Sequence, residues 1–449
     1  MKTKWQMLVG LALVAACGFT QQAVASRTEK VTCKVELDRG VLPAGASQRA
    51  VVKVSLDAPL LREKTERPPV NLAIVLDRSG SMSGGGKLEK AKEAAIAALH
   101  RLTERDMFSL VMFDHEVETL VPPQSAGNTE WIESRINSIR ARGNTALFGG
   151  VSQGAAEVRK HLEGRYVSRI LLLSDGQANV GPSQPEDLGR LGAALMKEHI
   201  AVTTIGVGAD YNEDLMTKLA QHSDGNTYFV ESSRDLPRIF AAELGDVLSV
   251  FARDVKLEIE FSDGVRPVRI IGRDGRLDDR KVEVRLNQLY GGQAKYALVE
   301  VEVSAGSASD VRKLANARCS YENLVNRQSE RAEAEASVRF SDREKDVIKS
   351  VNVSVQKEMA FNVLAEARDE AIQQADKGDR TKAAATLRNA GAKVRAQAAV
   401  YELDDAQLNK DAAGAAAAAA SIEAQGLDNR SRKSMRTDSF QTRNQQSKQ

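Results

Sequence analysis

The sequence predicts an α/β protein: a doubly wound, mostly parallel sheet inserted in a β-sandwich, followed by a C-terminal helical hairpin and a disordered tail. Three observations predict it. From Val70 to about Leu248, short strands that are apolar on both faces alternate with amphipathic helices, the pattern of a parallel sheet covered by helices on both sides. On either side of that block the pattern changes to apolar–polar alternation, as in half-buried antiparallel strands. The length, 449 residues, is three times the usual single-domain allotment of about 150.

Residues 1–25 carry the marks of an export signal. Lys2 and Lys4 form a short positive region, an apolar run extends from Trp5 to Ala16, and Ala23-Val24-Ala25 offers a small-x-small cleavage site before Ser26. The apolar run is too short to span a bilayer, which disfavours a retained anchor. Val14-Ala15-Ala16-Cys17 also resembles a bacterial lipoprotein signal, in which Cys17 would be lipidated and become the mature N-terminus. The expected location is extracytoplasmic: periplasmic or secreted, alternatively lipid-anchored in the envelope. In an oxidising compartment Cys33 and Cys319 either pair as a disulfide or remain two buried thiols.

Charge and composition narrow the function classes. The 63 Lys+Arg against 61 Asp+Glu leave +2, and removal of residues 1–25 takes away two lysines and leaves a neutral chain. That balance excludes a highly basic nucleic-acid binder and an acidic disordered chain. With 2 Trp, 7 Tyr and 11 Phe, a base-stacking surface is not expected. The five His and three Cys are too scattered for a zinc finger or a disulfide-dense miniprotein.

Within residues 26–67, Val31, Cys33, Val35 and Leu37, then Val51, Val52, Val54 and Leu56, read as two strands of a sandwich, with a charged, proline-ended linker behind them. The α/β block follows at 68–250. Alternation returns over 251–340, with Val255, Leu257, Ile259 and Phe261, then Val282, Val284 and Leu286, then Leu298, Val299, Val301 and Val303. This segment has too few strands to look complete. The early strands complete it, so the α/β domain is an insertion between two pieces of one sandwich. A disulfide between Cys33 and Cys319 would staple that sandwich across the insertion. Residues 341–425 are helical, with one stripe from Val347 to Leu364 and a second helix over Ala383–Val400. Residues 426–449 hold six Lys/Arg against two Asp and read as a disordered basic tail. Contact of that tail with anionic lipid or glycan is the alternative to simple solvation.

The chemistry-bearing residues gather at strand ends. The strand 71–76 runs into Asp77-Arg78-Ser79-Gly80-Ser81, which sets three hard oxygen ligands at i, i+2 and i+4. Gly143-Asn144-Thr145 supplies a second loop, and the strand 168–173 ends in Ser174-Asp175-Gly176. In an open α/β sheet, ligands bind beyond the carboxyl ends of the strands. Two carboxylates and three hydroxyls converging there suit Mg²⁺, with Mn²⁺ or Ca²⁺ as alternatives. Against this, Asp77 and Asp175 would merely cap helices.

These stretches resemble the von Willebrand factor type A domain. The resemblance rests on Leu-Asp-Arg-Ser-Gly-Ser-Met at 76–82, Gly-Asn-Thr-Ala-Leu-Phe-Gly-Gly at 143–150, Leu-Leu-Leu-Ser-Asp-Gly-Gln-Ala-Asn-Val-Gly at 171–181 and Thr-Ile-Gly-Val-Gly at 204–208. It covers about residues 68–250 and implies a complete metal-ion-dependent adhesion site. Ser79, Ser81 and Thr145 would bind the metal directly or nearly so. Asp77 and Asp175 would act directly or through water. The flanking β segments resemble bacterial members that carry the domain inside an envelope protein.

Other motifs fail for want of context. Gly150-Val-Ser152-Gln-Gly154 fits the serine-hydrolase pattern but lacks the preceding strand and sharp turn. Gly84-Gly85-Gly86-Lys87 lacks the spacing and the Ser or Thr of a phosphate loop. His115-Glu116 is followed by Thr119 where a zincin needs His.

The expected function is therefore an exported, divalent-metal-dependent binding module rather than an enzyme. Its metal would bridge to an Asp or Glu of a protein partner. Nucleic acid is not an expected partner, and membrane contact would come only through a lipid at Cys17 or the basic tail. The alternatives are a metal-dependent hydrolase, which lacks a placed general base, and an envelope scaffold whose metal stabilises the loops.

Overall fold

The computed structural model describes residues 30–61, 67–162 and 164–446, so the segment expected to be an export signal, Cys17 included, lies outside the described residues. The alternating N-terminal segment forms β1 (Thr32–Leu37), β2 (Val41–Pro43) and β3 (Gln48–Asp57), with β1 antiparallel to β3.

The α/β block that follows holds β4 (Val70–Asp77), α1 (Lys87–Leu99), β5 (Met107–Phe113), β6 (Val117–Ser125), α2 (Thr129–Asn137), α3 (Leu147–Arg159), β7 (Val167–Ser174), α4 (Pro185–Lys197), β8 (Ile200–Val207), α5 (Glu213–Ser223), β9 (Thr227–Val230) and α6 (Leu236–Leu248). Its sheet runs β6-β5-β4-β7-β8-β9, parallel except for β6. Every residue of β4, β7 and β8 is buried, as continuous apolar runs between two helical layers require. Apolar residues of α1, α2 and α6 cover one face, and those of α3, α4 and α5 the other. Gly150 and Gly154 allow the α3 layer to sit close. A Cβ at Gly154 would lie 2.4 Å from Val75 and one at Gly150 2.6 Å from Phe113. The Gly-x-Ser-x-Gly match is thus a packing feature within α3.

The sandwich resumes with β10 (Val250–Phe261), β11 (Val265–Ile271), β12 (Arg276–Asp278), β13 (Lys281–Tyr290), β14 (Ala294–Val303), β15 (Val311–Asn323) and β16 (Gln328–Ser341). One sheet is ordered β1-β3-β14-β11 and the other β12-β13-β10-β15-β16-β2. The N-terminal strands therefore belong to both sheets, and the α/β domain is inserted between the pieces. Cys33 and Cys319 are buried in the shared core as free thiols. Burial pushes their pKa up to about 11 and about 12. Arg169 on β7 joins the two domains. It is fully buried and donates to Gln288 Oε1 at 2.7 Å and to the Tyr290 hydroxyl at 2.8 Å. A buried guanidinium is tolerated only with partners of this kind.

The C-terminal region differs from the expected hairpin and tail. It comprises α7 (Glu344–Lys349), α8 (Val353–Asp376), α9 (Arg380–Val400), α10 (Ala406–Gln425) and α11 (Asn429–Arg443). The low-complexity run Ala412–Ala420 lies within α10, and its small side chains bring α10 against α9, where a Cβ on Gly391 would stand 3.0 Å from the Ala412 carbonyl oxygen. The segment 426–446 is not a disordered tail. Met435 and Phe440 are buried, and the basic residues of α11 pair with acids far away in sequence, among them Glu213, Asp214, Asp369 and Asp376. Gln441 and Gln446 donate to the Thr227 carbonyl, and the Thr227 amide donates to Gln446 Oε1, which caps the outer edge of β9. Composition alone hid this, because isolated charges look solvated until their partners are placed. No helix among the described residues is long and apolar enough to cross a membrane.

Candidate metal centre

Asp77 is the last residue of β4 and Asp175 follows the last residue of β7. These strands are neighbours and parallel, so both carboxylates emerge at one edge of the sheet. Both are wholly buried, as is Ser79; Thr145 is nearly so, and Ser81 is exposed. The cluster is therefore a set of oxygens with one side open to water.

Three loops are laced together to hold it. The Gly80 amide donates to the Gly143 carbonyl at 3.0 Å and the Arg142 amide to the Arg78 carbonyl at 2.7 Å. The Asn179 amide donates to the Thr145 carbonyl at 3.1 Å, while Asn179 Oδ1 accepts from the Thr145 amide at 2.8 Å. Gly143 takes φ +71°, and a Cβ there would lie 2.2 Å from the His115 ring, so only glycine fits. Gly176 performs a similar service. Its Cβ position is 3.0 Å from Thr145 Oγ1 and 3.6 Å from Ser81 Oγ, which places both hydroxyls around one point.

The side chains are linked in turn. Ser79 Oγ and Ser81 Oγ are 3.0 Å apart, and Ser81 Oγ donates to Asp175 Oδ1 at 2.7 Å. Asp77 accepts from the Ser79 amide at 2.8 Å and from Ser174 Oγ at 2.5 Å. Burial nevertheless pushes the Asp77 carboxyl up to about 6. All five residues expected from the sequence are thus gathered, and every donor is a hard oxygen. Such a set fits a small divalent ion that keeps some of its water.

The sequence missed the supporting residues. Asp114 accepts from Arg78 Nε at 2.7 Å, from Arg142 Nε at 2.9 Å and from the Glu116 amide at 2.7 Å. Burial alone would raise the Asp114 carboxyl, but the Glu116 amide and the Arg78 guanidinium hold it below its ordinary range. Asp114, His115 and Glu116 lie close enough together to suggest a metal cluster, but the arginines already satisfy both acids. This group braces the first two loops. Lys87 Nζ lies 2.5 Å from Asp175 Oδ2. The available signal is its place at the first residue of α1, an end that disfavours cations.

Comparison with known proteins bears on the fold that carries this site. Residues 71–242 match the family model of the von Willebrand factor type A domain. The chain is 28% identical over 231 residues to the uncharacterized Escherichia coli protein YfbK, covering 51% of this chain and 40% of that one. It is 32% identical over 204 residues to the uncharacterized Synechocystis protein sll0103, covering 45% of this chain and 46% of that one. It thus spans less than half the length of either relative. Among solved structures, a von Willebrand factor type A protein from Catenulispora acidiphila superposes with a TM-score of 0.65 at 16% identity, over 88% of this chain and 97% of that one. Residues 71–242 therefore match the von Willebrand factor type A domain, and this block has the α/β fold of that domain. Domains of this family typically mediate metal-dependent protein interaction and are generally not enzymes.

Proposed function

We propose that this von Willebrand factor type A domain gives an exported bacterial envelope protein a metal-dependent grip on a protein partner. Mg²⁺ is the ion that fits best, with Mn²⁺ or Ca²⁺ as alternatives. Asp77, Ser79, Ser81, Thr145 and Asp175 would hold it, and an Asp or Glu of the partner would supply the remaining ligand. The observation that carries this reading is the one-sided cluster of two buried carboxylates and three hydroxyls, open to water at Ser81. Three of the five residues are neutral hydroxyls and Lys87 offsets one of the two carboxylates, so an incoming carboxylate completes both the ion's coordination and its charge.

The location rests on the export signal at residues 1–25, whose Cys17 leaves soluble and lipid-anchored forms open. A pull-down from envelope extract, with residues 26–449 as bait, tests the reading. A partner retained in magnesium, lost in EDTA and lost by Asp77→Ala is the expected result. Partners unaffected by EDTA would sink it and move the interaction to another surface. A metal that only raises the melting temperature would favour the scaffold reading.

A further inference from the structure

Lys87 opens α1, at the helix end where the macrodipole disfavours a cation. Its own helix does not hold it there, because the first-turn acid, Glu89, pairs with Lys92. Its ammonium instead reaches across the loop mouth to Asp175, a wholly buried residue. Asp175 divides its oxygens: Oδ1 accepts from Ser81 and Oδ2 from Lys87. The ammonium therefore occupies the side of the carboxylate turned away from the Ser81 hydroxyl. Gly208, at φ +75°, flanks it, its Cβ position 3.7 Å from Nζ. The nearby guanidinium groups of Arg78 and Arg142 are engaged by Asp114. Among the described residues, Lys87 is the one cation ion-paired with a member of the five-residue set.

We propose that Lys87 sets the charge of the metal centre, trading affinity for the ion against affinity for the partner's carboxylate. The proposal rests on the metal reading above. Asp77 and Asp175 together carry −2, and Lys87 reduces this to −1. A divalent ion then leaves the loaded centre at +1, which attracts an incoming acid. Without Lys87 the loaded centre would be neutral: it would hold the ion more tightly and attract the acid less. A lysine that merely propped Asp175 in place would behave differently, because its loss would loosen the site and weaken both interactions.

The test uses the mature chain, with Mn²⁺ as the metal probe and acetate as the carboxylate probe, both followed by water-proton relaxation. Lys87→Met is expected to bind Mn²⁺ roughly tenfold more tightly, the order of effect of one unit charge at this range. The loaded variant is expected to bind acetate several-fold more weakly. Lys87→Arg, which keeps the charge, should stay close to wild type in both readouts, and Lys87→Gln carries the test if the methionine variant does not fold. Unchanged or weaker Mn²⁺ binding by the neutral variants overturns the role of Lys87, and so does unchanged acetate binding. If wild type itself binds no Mn²⁺, the metal reading fails and takes this proposal with it.

Discussion

Two charge-rich regions of this molecule are built on opposite plans. At the carboxyl ends of β4 and β7, two wholly buried carboxylates face three hydroxyls and one ammonium. Along α11, basic residues meet acids in close number: Arg430 pairs with Glu231, Arg432 with Glu213, Asp214 and Asp376, Lys433 with Glu213, Arg436 with Asp214 and Asp369, and Arg443 with Asp369. The first region leaves negative charge uncompensated beside open water. The second neutralises its charge within the fold. Burying charge costs free energy in both cases. At α11 the pairing offsets that cost and ties α5 and β9 to α8. At the loop mouth the offset is incomplete, which is where the proposed metal would act. Charge balance, more than charge density, separates the site from the seam.

The largest expected effect lies in the seam. Lys433 and Glu213 are both nearly buried, with their charged atoms 2.8 Å apart. Lys433→Met leaves Glu213 short of a partner, although Arg432 still reaches it. The expected loss is about 3 kcal/mol, as for breaking a buried ion pair. Urea unfolding measures it. Adding Glu213→Gln to Lys433→Met should recover part of the loss, because the orphaned charge is gone. If Lys433→Met melts like wild type and the double variant adds further loss, α11 is not held by charge pairing and the comparison breaks.

At the loop mouth the sign reverses. Asp77 is raised to about 6 from an ordinary 3.8, chiefly by burial. Its folded-state pKa exceeds its unfolded value, so the folded chain holds a proton that the unfolded chain has released between those values. Stability therefore falls as pH rises through that window and stays reduced at pH 7. Asp77→Asn removes the buried charge and is expected to raise stability in EDTA at pH 7 by about 2 to 3 kcal/mol. It should also abolish any stabilisation by Mg²⁺. A variant that is less stable than wild type in EDTA would show that Asp77 belongs with the structural charges after all.

The same contrast explains what could be read from the sequence. Asp77, Ser79 and Ser81 lie within one loop, and the parallel-sheet rule carries Asp175 to the same edge without any long-range information. The alternation of patterns likewise disclosed the sandwich, because the strands of 251–340 are too few to look complete without the N-terminal ones. Lys87 escaped notice because its role appears only once Asp175 is beside it. The α11 seam escaped for a stronger reason: Arg432 and Glu213 are 219 positions apart, and nothing local in either segment announces the other. Residues 426–449 also offer little apolar content, so the burial of Met435 and Phe440 had no periodic signal behind it. The alanines of 412–420 look like low complexity, yet small side chains are what close packing of α10 on α9 requires.

The smallest expected effect is a pH slope where the C-terminal segment meets the sandwich. Lys295 on β14 is almost fully buried, and its ammonium donates to the Asn444 carbonyl at 2.8 Å. Burial pushes it down to about 8 from an ordinary 10.5. Between those values the unfolded chain holds a proton that the folded chain has lost. Stability contributed by this group therefore rises with pH across that window, by at most about 1.4 kcal/mol per pH unit. The neighbouring Tyr296 works in the opposite sense near and above its ordinary 10.0, because burial raises it to about 12. Cys33 and Cys319, raised by burial from an ordinary 9.0, oppose the lysine in the same way, so the Lys295 contribution is read as the difference between variant and wild type from pH 8 to about 9.5. Lys295→Met should make the slope of that part of the profile less positive while leaving Mn²⁺ affinity unchanged. Equal slopes in variant and wild type would mean that Lys295 keeps its proton through this range. The seam would then bury an ammonium against a neutral carbonyl at the C-terminal end of α11, and its contrast with the loop mouth would be weaker.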